Sequence, residues 1–204
     1  MFITFEGIEN CGKSTQSKLL YEWLLDNGYT VILTREPGGT PSAEEIREFL
    51  LKNREEFFPP FSEVCMYIAA RGFHVENLIK PELEKNNIVI CDRFSDSTIA
   101  YQGYGRQLPI NLIKEMDKQA RKGITPDLTI LIDIPVEESF KRAKDKEKDR
   151  IESEKIEFHK RVRKGFLELA KEEPKRIKVI NGEKPIEEVF KEVLLAVKER
   201  LKCL

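Results

Sequence analysis

The stretch FEGIENCGKST, residues 5–15, decides how the rest of this 204-residue chain is read. It leaves an apolar run at residues 2–5, sets Gly7 and Gly12 five apart, and places Lys13, Ser14 and Thr15 directly behind. Glycines at that spacing let the backbone curl until successive amide N–H groups turn inward, and a helix opening at Lys13 adds the positive end of its dipole. The pattern is GxxxxGK[ST]. A strand before it and a helix after it separate a phosphate cradle from a glycine-rich turn that only caps a helix. The expected ligand is a nucleoside triphosphate with Mg2+, held along Gly7, Ile8, Glu9, Asn10, Cys11, Gly12, Lys13, Ser14 and Thr15. Lys13 reaches the β- and γ-phosphates, and the Ser14 hydroxyl serves the metal.

Outward from this cradle, short apolar runs alternate with longer helical patterns. Strands are expected at 2–5, 30–34, 88–91, 128–132 and 177–180, where Ile, Val, Leu and Thr run on with little alternation, as in strands covered on both faces. Helical patterns fill 13–27, 42–52, 63–86, a pair within 98–122, 136–171 and 186–202. Asn27-Gly28 reads as a helix C-cap, and Asn181-Gly182 turns the chain after the last strand. The predicted fold is α/β: a five-stranded parallel sheet with helices on both faces and ligands beyond the carboxyl ends of the strands. The run KRAKDKEKDR, residues 141–150, lacks an apolar stripe in its second half and reads as an exposed, mobile excursion.

Charged residues make up 35% of the chain, yet the net charge is −1, so there is no global basic field for nucleic acid. No run has the length of a membrane-spanning helix, and the N-terminus lacks a signal-peptide layout. The expectation is a cytoplasmic protein with no membrane partner. Cys11, Cys65, Cys91 and Cys203 show no CxxC or metal-ligand spacing and are expected as free thiols. His74 and His159 are too few for a typical zinc site.

Two further strand ends carry acids. Asp92 in IVICDRF and Asp133 in LTILIDIP are both candidates to hold Mg2+, commonly through a water. Asp92 is preferred because Arg93 follows it, so that metal and phosphate can be served together. The guanine signature NKxD and an internal DxxG switch are both absent. Instead, arginines and small polar residues gather in TREPGGTPSAEEIR (34–47) and DRFSDSTIAYQGYGR (92–106). Tyr67 and Arg71 lie one turn apart on a helix between them, a face on which a base can stack and be hydrogen-bonded.

Through these motifs, and through AAR, PDLTILIDIP, KRAKDKEKDRIE and INGEKPIEEV, the chain closely resembles the thymidylate kinase family along nearly its whole length. The resemblance implies a P-loop nucleoside monophosphate kinase fold in one domain, 1–204, with a mobile lid at about 141–152. It implies transfer of the γ-phosphoryl group of ATP to dTMP, giving dTDP for dTTP synthesis, in a homodimer. Carried over residue by residue, Glu9 approaches the deoxyribose 3′-hydroxyl. Arg47 and Arg93 grip the dTMP phosphate, and Glu36 shapes that end. Tyr67 stacks on thymine, where the family often has phenylalanine, and Arg71 donates to its O4. Thr98 and Gln102 meet the base edge, and Tyr101 crowds the sugar C2′. Arg142 lies against adenine, across from the 181–185 loop.

The P-loop has no arginine, while the lid offers Lys144, Lys146, Lys148 and Arg150, so the chain resembles the bacterial type with basic groups in the lid. Arg150 is the preferred catalytic cation, beside Lys13, Arg93 and Glu9. Many relatives have two small residues where Asn10-Cys11 stands. That thiol is either activated by Lys13 and nearby amides or simply turned inward, the second being favoured. Two other readings are weighed: a pyrimidine monophosphate kinase of broader range, and an ATP-binding regulator that transfers nothing.

Overall fold

In the computed structural model, which describes residues 1–143 and 149–202, the five strands are β1 (Phe2–Glu6), β2 (Val31–Arg35), β3 (Ile88–Asp92), β4 (Leu128–Asp133) and β5 (Ile177–Asn181). All pairings are parallel, in the order β2-β3-β1-β4-β5. The central β1, β3 and β4 are buried along nearly their whole length, which is why FITFE, IVICD and LTILID read as continuous apolar runs. The outer β2 and β5 keep exposed positions. Each strand ends on a polar residue: Glu6, Arg35, Asp92, Asp133 and Asn181. Register sets Arg35 and Phe5 beside Asp92, and Asp133 beside Asn181. One edge of the sheet therefore collects the polar ends while the body of each strand fills the core.

The helices are α1 (Lys13–Asp26), α2 (Pro41–Leu51), α3 (Pro60–His74), α4 (Lys80–Glu84), α5 (Ser95–Thr98), α6 (Ile110–Ala120), α7 (Val136–Arg142), α8 (Ile156–Glu172) and α9 (Ile186–Leu201). A π-helical stretch, Val75–Ile79, carries α3 into α4 without a break, as the single pattern at 63–86 led one to expect. A second π-helical stretch, Ile99–Gly105, extends α5 at the site itself, where such widened turns concentrate. After α1, Gly28 takes φ 81° and the Tyr29 N–H reaches back to Leu24 O at 3.0 Å, the glycine C-cap that Asn27-Gly28 announced.

The pattern at 136–171 is two helices, not one. The first ends at Arg142 and the second opens at Ile156, after a turn in which the Asp149 carboxylate accepts the N–H groups of Ile151 and Glu152 at 2.8 and 2.9 Å and its carbonyl accepts Ser153 Oγ at 2.7 Å. This local turn competes with helical bonding. Lys144, Lys146 and Lys148, expected as lid cations, lie outside the described residues, as does Cys203. Among the described residues, no helix is long and apolar enough to cross a membrane.

Candidate active site

A cleft of about 480 Å3 opens at the carboxyl edge of the sheet. The segment after β1 forms its floor. Gly7 has φ 139°, and a Cβ there would stand 2.4 Å from Ile132 O and 2.8 Å from Cys11 Sγ, so only glycine fits. Gly12, φ 99°, caps α1 with no side-chain bond to the helix amides, which leaves them for an anion. Asn10 takes φ 57°, a left-handed conformation that asparagine tolerates, and this gives the departure at Asn10 a physical reason. Cys11 is 2% exposed, and burial pushes its thiol up despite the Lys13 charge nearby. The inward-facing reading holds, and activation of this thiol does not. Lys13, itself buried, rests its Nζ on Ile8 O at 3.2 Å.

The acids at the two strand ends separate clearly. Asp133 takes Arg163 on both oxygens, at 2.7 and 2.8 Å. Asp92 accepts the Ser14 hydroxyl on Oδ2, while its Oδ1 is buried with no hydrogen-bond partner among the described residues. An unspent carboxylate oxygen beside a serine hydroxyl is a donor set for a hard, oxygen-seeking cation, so the Ser14–Asp92 pair fits Mg2+.

Guanidiniums gather next to it. Arg93, at φ 71°, donates to Gly7 O at 2.9 Å, to Ser97 Oγ at 3.1 Å and to Glu9 Oε1 at 3.1 Å. Arg47 donates to Pro37 O at 2.9 Å. Burial, and then the Arg35 cation, pull the Arg47 guanidinium below its usual range, as expected where positive charges are drawn together for an anion. Glu9 also accepts the Tyr101 hydroxyl. His159 Nδ1 stands 3.5 Å from its second oxygen, an ion-pair distance rather than a hydrogen bond. Burial works to raise the Glu9 carboxyl, but His159, Arg93 and Lys13 outweigh it and hold the group at about 2, so it is a carboxylate at neutral pH.

On the opposite wall, α3 brings Tyr67 and Arg71 to the cleft. Arg71 is 2% exposed; its Nε and one terminal nitrogen donate to Glu36 Oε2 at 2.8 and 2.6 Å, and the other terminal nitrogen donates to Asp117 at 2.7 Å. Glu36 takes His74 Nδ1 on its other oxygen at 3.0 Å. Thr98, Tyr101 and Gln102 reach the cleft from α5 and its π-helical extension, and the Tyr101 ring meets Phe158 and Phe166 edge-on.

The thymidylate kinase family model matches residues 5–193. The chain belongs to that family. Similar sequences include the thymidylate kinases of Sulfurihydrogenibium sp., 48% identical over 98% of this chain and 97% of that one, and of Geotalea uraniireducens, 46% identical over 98% and 97%. The crystal structure of thymidylate kinase from Ehrlichia chaffeensis superposes with a TM-score of 0.80 at 40% identity, covering 97% of this chain and 98% of the other.

As a thymidylate kinase family member, the chain has two expected basic residues that part company. Arg142 lines the cleft and bridges Asn10 O at 3.5 Å and Gly182 O at 3.1 Å, between the P-loop and the 181–185 loop. Arg150 is not on the cleft wall. It donates to Glu63 Oε2 at 2.6 Å and Leu50 O at 2.9 Å, drawn there by a buried carboxylate that needs countercharge.

Sequence reading passed over Arg35, Glu6, Glu63 and His159. Arg35 was signalled by standing next to Glu36, and Glu63 by standing four residues before Tyr67. Glu6 carried no signal, because its work is done through contacts with residues about ninety positions away. Fully buried at the end of β1, Glu6 accepts the N–H groups of Phe94 and Ser97 at 2.8 and 3.3 Å and the Ser97 hydroxyl at 2.5 Å. It thereby holds the turn that presents Arg93.

Burial, and then the Asp96 charge, push the Glu6 carboxyl up to about 8 from an ordinary 4.5. Between those values the folded chain keeps a proton that the unfolded chain has lost, so this group's stabilisation is complete below about pH 4.5 and is lost as pH rises through about 8. Glu6→Gln mimics the protonated form. Its melting temperature should gain on that of the wild type as the buffer goes from about pH 5 to about pH 8. A gap that stays constant over that range would show that Glu6 titrates normally.

Proposed function

We propose that the cleft seats dTMP and ATP end to end, their phosphates meeting between Lys13, Arg47 and Arg93. The reaction of this family is transfer of the γ-phosphoryl group of ATP to dTMP, giving dTDP and ADP. The observation that supports the seating is convergence. A helix N-terminus with unspent amides, a buried lysine and the Arg47 and Arg93 guanidiniums come from three separate strand ends to one cavity, with an aromatic ring and a third guanidinium on its far wall.

The acceptor phosphate is already anionic, so no general base is needed; what must be overcome is repulsion between two anions. Arg47 and Arg93 hold the dTMP phosphate, and Lys13 and the α1 amides hold the triphosphate, so donor and acceptor lie in line with charge stabilised where it spreads. Ser14 and Asp92 would hold Mg2+, which neutralises charge on the β- and γ-phosphates when bound. Glu9, already ionised, accepts the sugar 3′-hydroxyl, and Tyr101 closes the space at C2′. Tyr67 stacks on the base, Arg71 keeps two unspent N–H groups for O4, and Thr98 and Gln102 face the remaining edge. Glu36 anchors Arg71. Arg142 flanks adenine.

The segment at about 141–152 is the lid in this reading, excluding water from the transfer. We further read the protein as cytoplasmic and homodimeric; the exposed Phe49, Phe57, Phe61 and Phe73 support an apolar contact between copies.

The test is product formation from ATP and Mg2+ with a panel of monophosphates. dTDP should form readily from dTMP, and the ribose form of TMP should be a poor acceptor. Equal turnover of CMP or dUMP would favour a broader pyrimidine kinase. ATP binding with no diphosphate formed from any acceptor would overturn the transfer reading in favour of a regulator.

A further inference from the structure

Glu63 is fully buried, yet no role in binding or transfer has fallen to it. Its Oε1 accepts Gln102 Nε2 at 2.9 Å and Arg106 Nε at 3.1 Å; its Oε2 accepts Arg106 at 3.0 Å and Arg150 at 2.6 Å. Arg106 is also held by Glu154, and its guanidinium lies over Phe158 at 4.7 Å. Burial works to raise the Glu63 carboxyl, but Arg106, Gln102 and Arg150 keep it below the usual carboxylate range, so it is charged at neutral pH.

We infer that Glu63 is a positioning residue for the nucleobase, acting through Gln102 on one side and Arg150 on the other. A carboxylate can only accept hydrogen bonds, so it selects the NH2 group of the Gln102 amide. The amide carbonyl is left for the cleft that Gln102 lines. An acceptor there suits a pyrimidine whose N3 carries hydrogen, as in thymine, and opposes cytosine, whose N3 is itself an acceptor.

Arg150 works on the same carboxylate from the opposite direction. Its Nε is on Leu50 O at 2.9 Å, its backbone N–H is on Leu51 O, and its guanidinium lies over Phe58 at 4.5 Å. Its neighbours Asp149, Ile151 and Glu152 line the cleft. Arg150 therefore pins that turn to α2 and α3 and completes the wall around the base. This gives Arg150 a binding role in place of the transfer role its sequence position suggests.

The inference rests on the proposed seating of dTMP, and steady-state kinetics separate the two. Glu63→Gln should raise KM for dTMP by about 10- to 100-fold, the equivalent of losing a charge-assisted hydrogen bond, and leave KM for ATP within about twofold. It should also narrow the kcat/KM preference for dTMP over dCMP, because a neutral amide no longer dictates how Gln102 is turned. Mere destabilisation would raise the apparent KM for both nucleotides alike, because each binds only folded enzyme, so equal rises in the two KM values, or an unchanged KM for dTMP, overturn the inference.

If Glu63→Gln does not fold, Arg150→Gln serves. A rise of about tenfold in KM for dTMP with kcat retained supports the pinning role. A fall in kcat with KM for dTMP unchanged overturns it and makes Arg150 a transfer cation. Should the wild type form no dTDP at all, the seating fails and this inference with it. A wild type that forms dTDP, with variants unaltered in KM for dTMP, removes the inference alone.

Discussion

Lys13→Ala is expected to lower kcat for dTDP formation on the order of 10²- to 10³-fold while leaving the melting temperature nearly unchanged, the size of loss found when one preorganised donor is removed from a developing charge. Among the described residues, Lys13 Nζ forms one hydrogen bond, to Ile8 O at 3.2 Å, and no ion pair. Its removal costs about 1 kcal/mol of stability or less. The amine matters when the γ-phosphoryl group moves, because it is a positive charge already held beside the cleft and needs no reorganisation to act. Saturating both nucleotides isolates kcat, and calorimetry on the same sample reports the fold. A kcat within tenfold of wild type would remove Lys13 from the phosphate site. A large loss of melting temperature would instead make it a structural cation.

Arg71→Ala should damage both recognition and stability. In the sequence, Arg71 reads as a base-recognition residue whose loss weakens dTMP binding and leaves ATP binding alone. The structure adds that it is the countercharge of Glu36 and Asp117 inside the protein, with both ion pairs almost fully out of water. Removing one partner of such a pair leaves uncompensated buried charge, at a cost of about 3–5 kcal/mol. For a chain of this size that corresponds to a fall of roughly 6–20 °C in melting temperature. Glu36 retains His74, and Asp117 retains Arg121 and Ser95, which argues for the lower half of that range.

Assayed well below the new melting temperature, KM for dTMP should rise about 10- to 100-fold while KM for ATP stays near wild type. An unchanged melting temperature would contradict the buried pairs, and an equal rise in both KM values would contradict the base-side placement. Arg71→Lys should rescue little, because a point charge cannot span Glu36 and Asp117 as the guanidinium fork does.

Much of this molecule was legible because its decisive features are local. Each strand was placed within about a residue, since a strand covered on both faces must be an uninterrupted apolar run. The cradle at Gly7–Gly12 was legible because glycine spacing states the backbone conformation directly. The pattern at 136–171 was read as helical around an excursion at 141–150, and the bounds of its two helices were not legible, because turns such as the one at Asp149 depend on side-chain bonds that helical periodicity does not register.

By itself the sequence determined most of the strand and helix inventory, the P-loop, and a set of candidate residues that the fold gathers at one cleft, with Asp92 rather than Asp133 facing it. Strand order, the pairing of Asp133 with Arg163, the Glu6 support under the Arg93 turn and the capture of Arg150 by Glu63 were decided only by tertiary structure. The reason is physical. Backbone conformation answers to near neighbours, whereas a buried charge answers to whatever countercharge the fold brings within about 3 Å, however far away it lies in the chain.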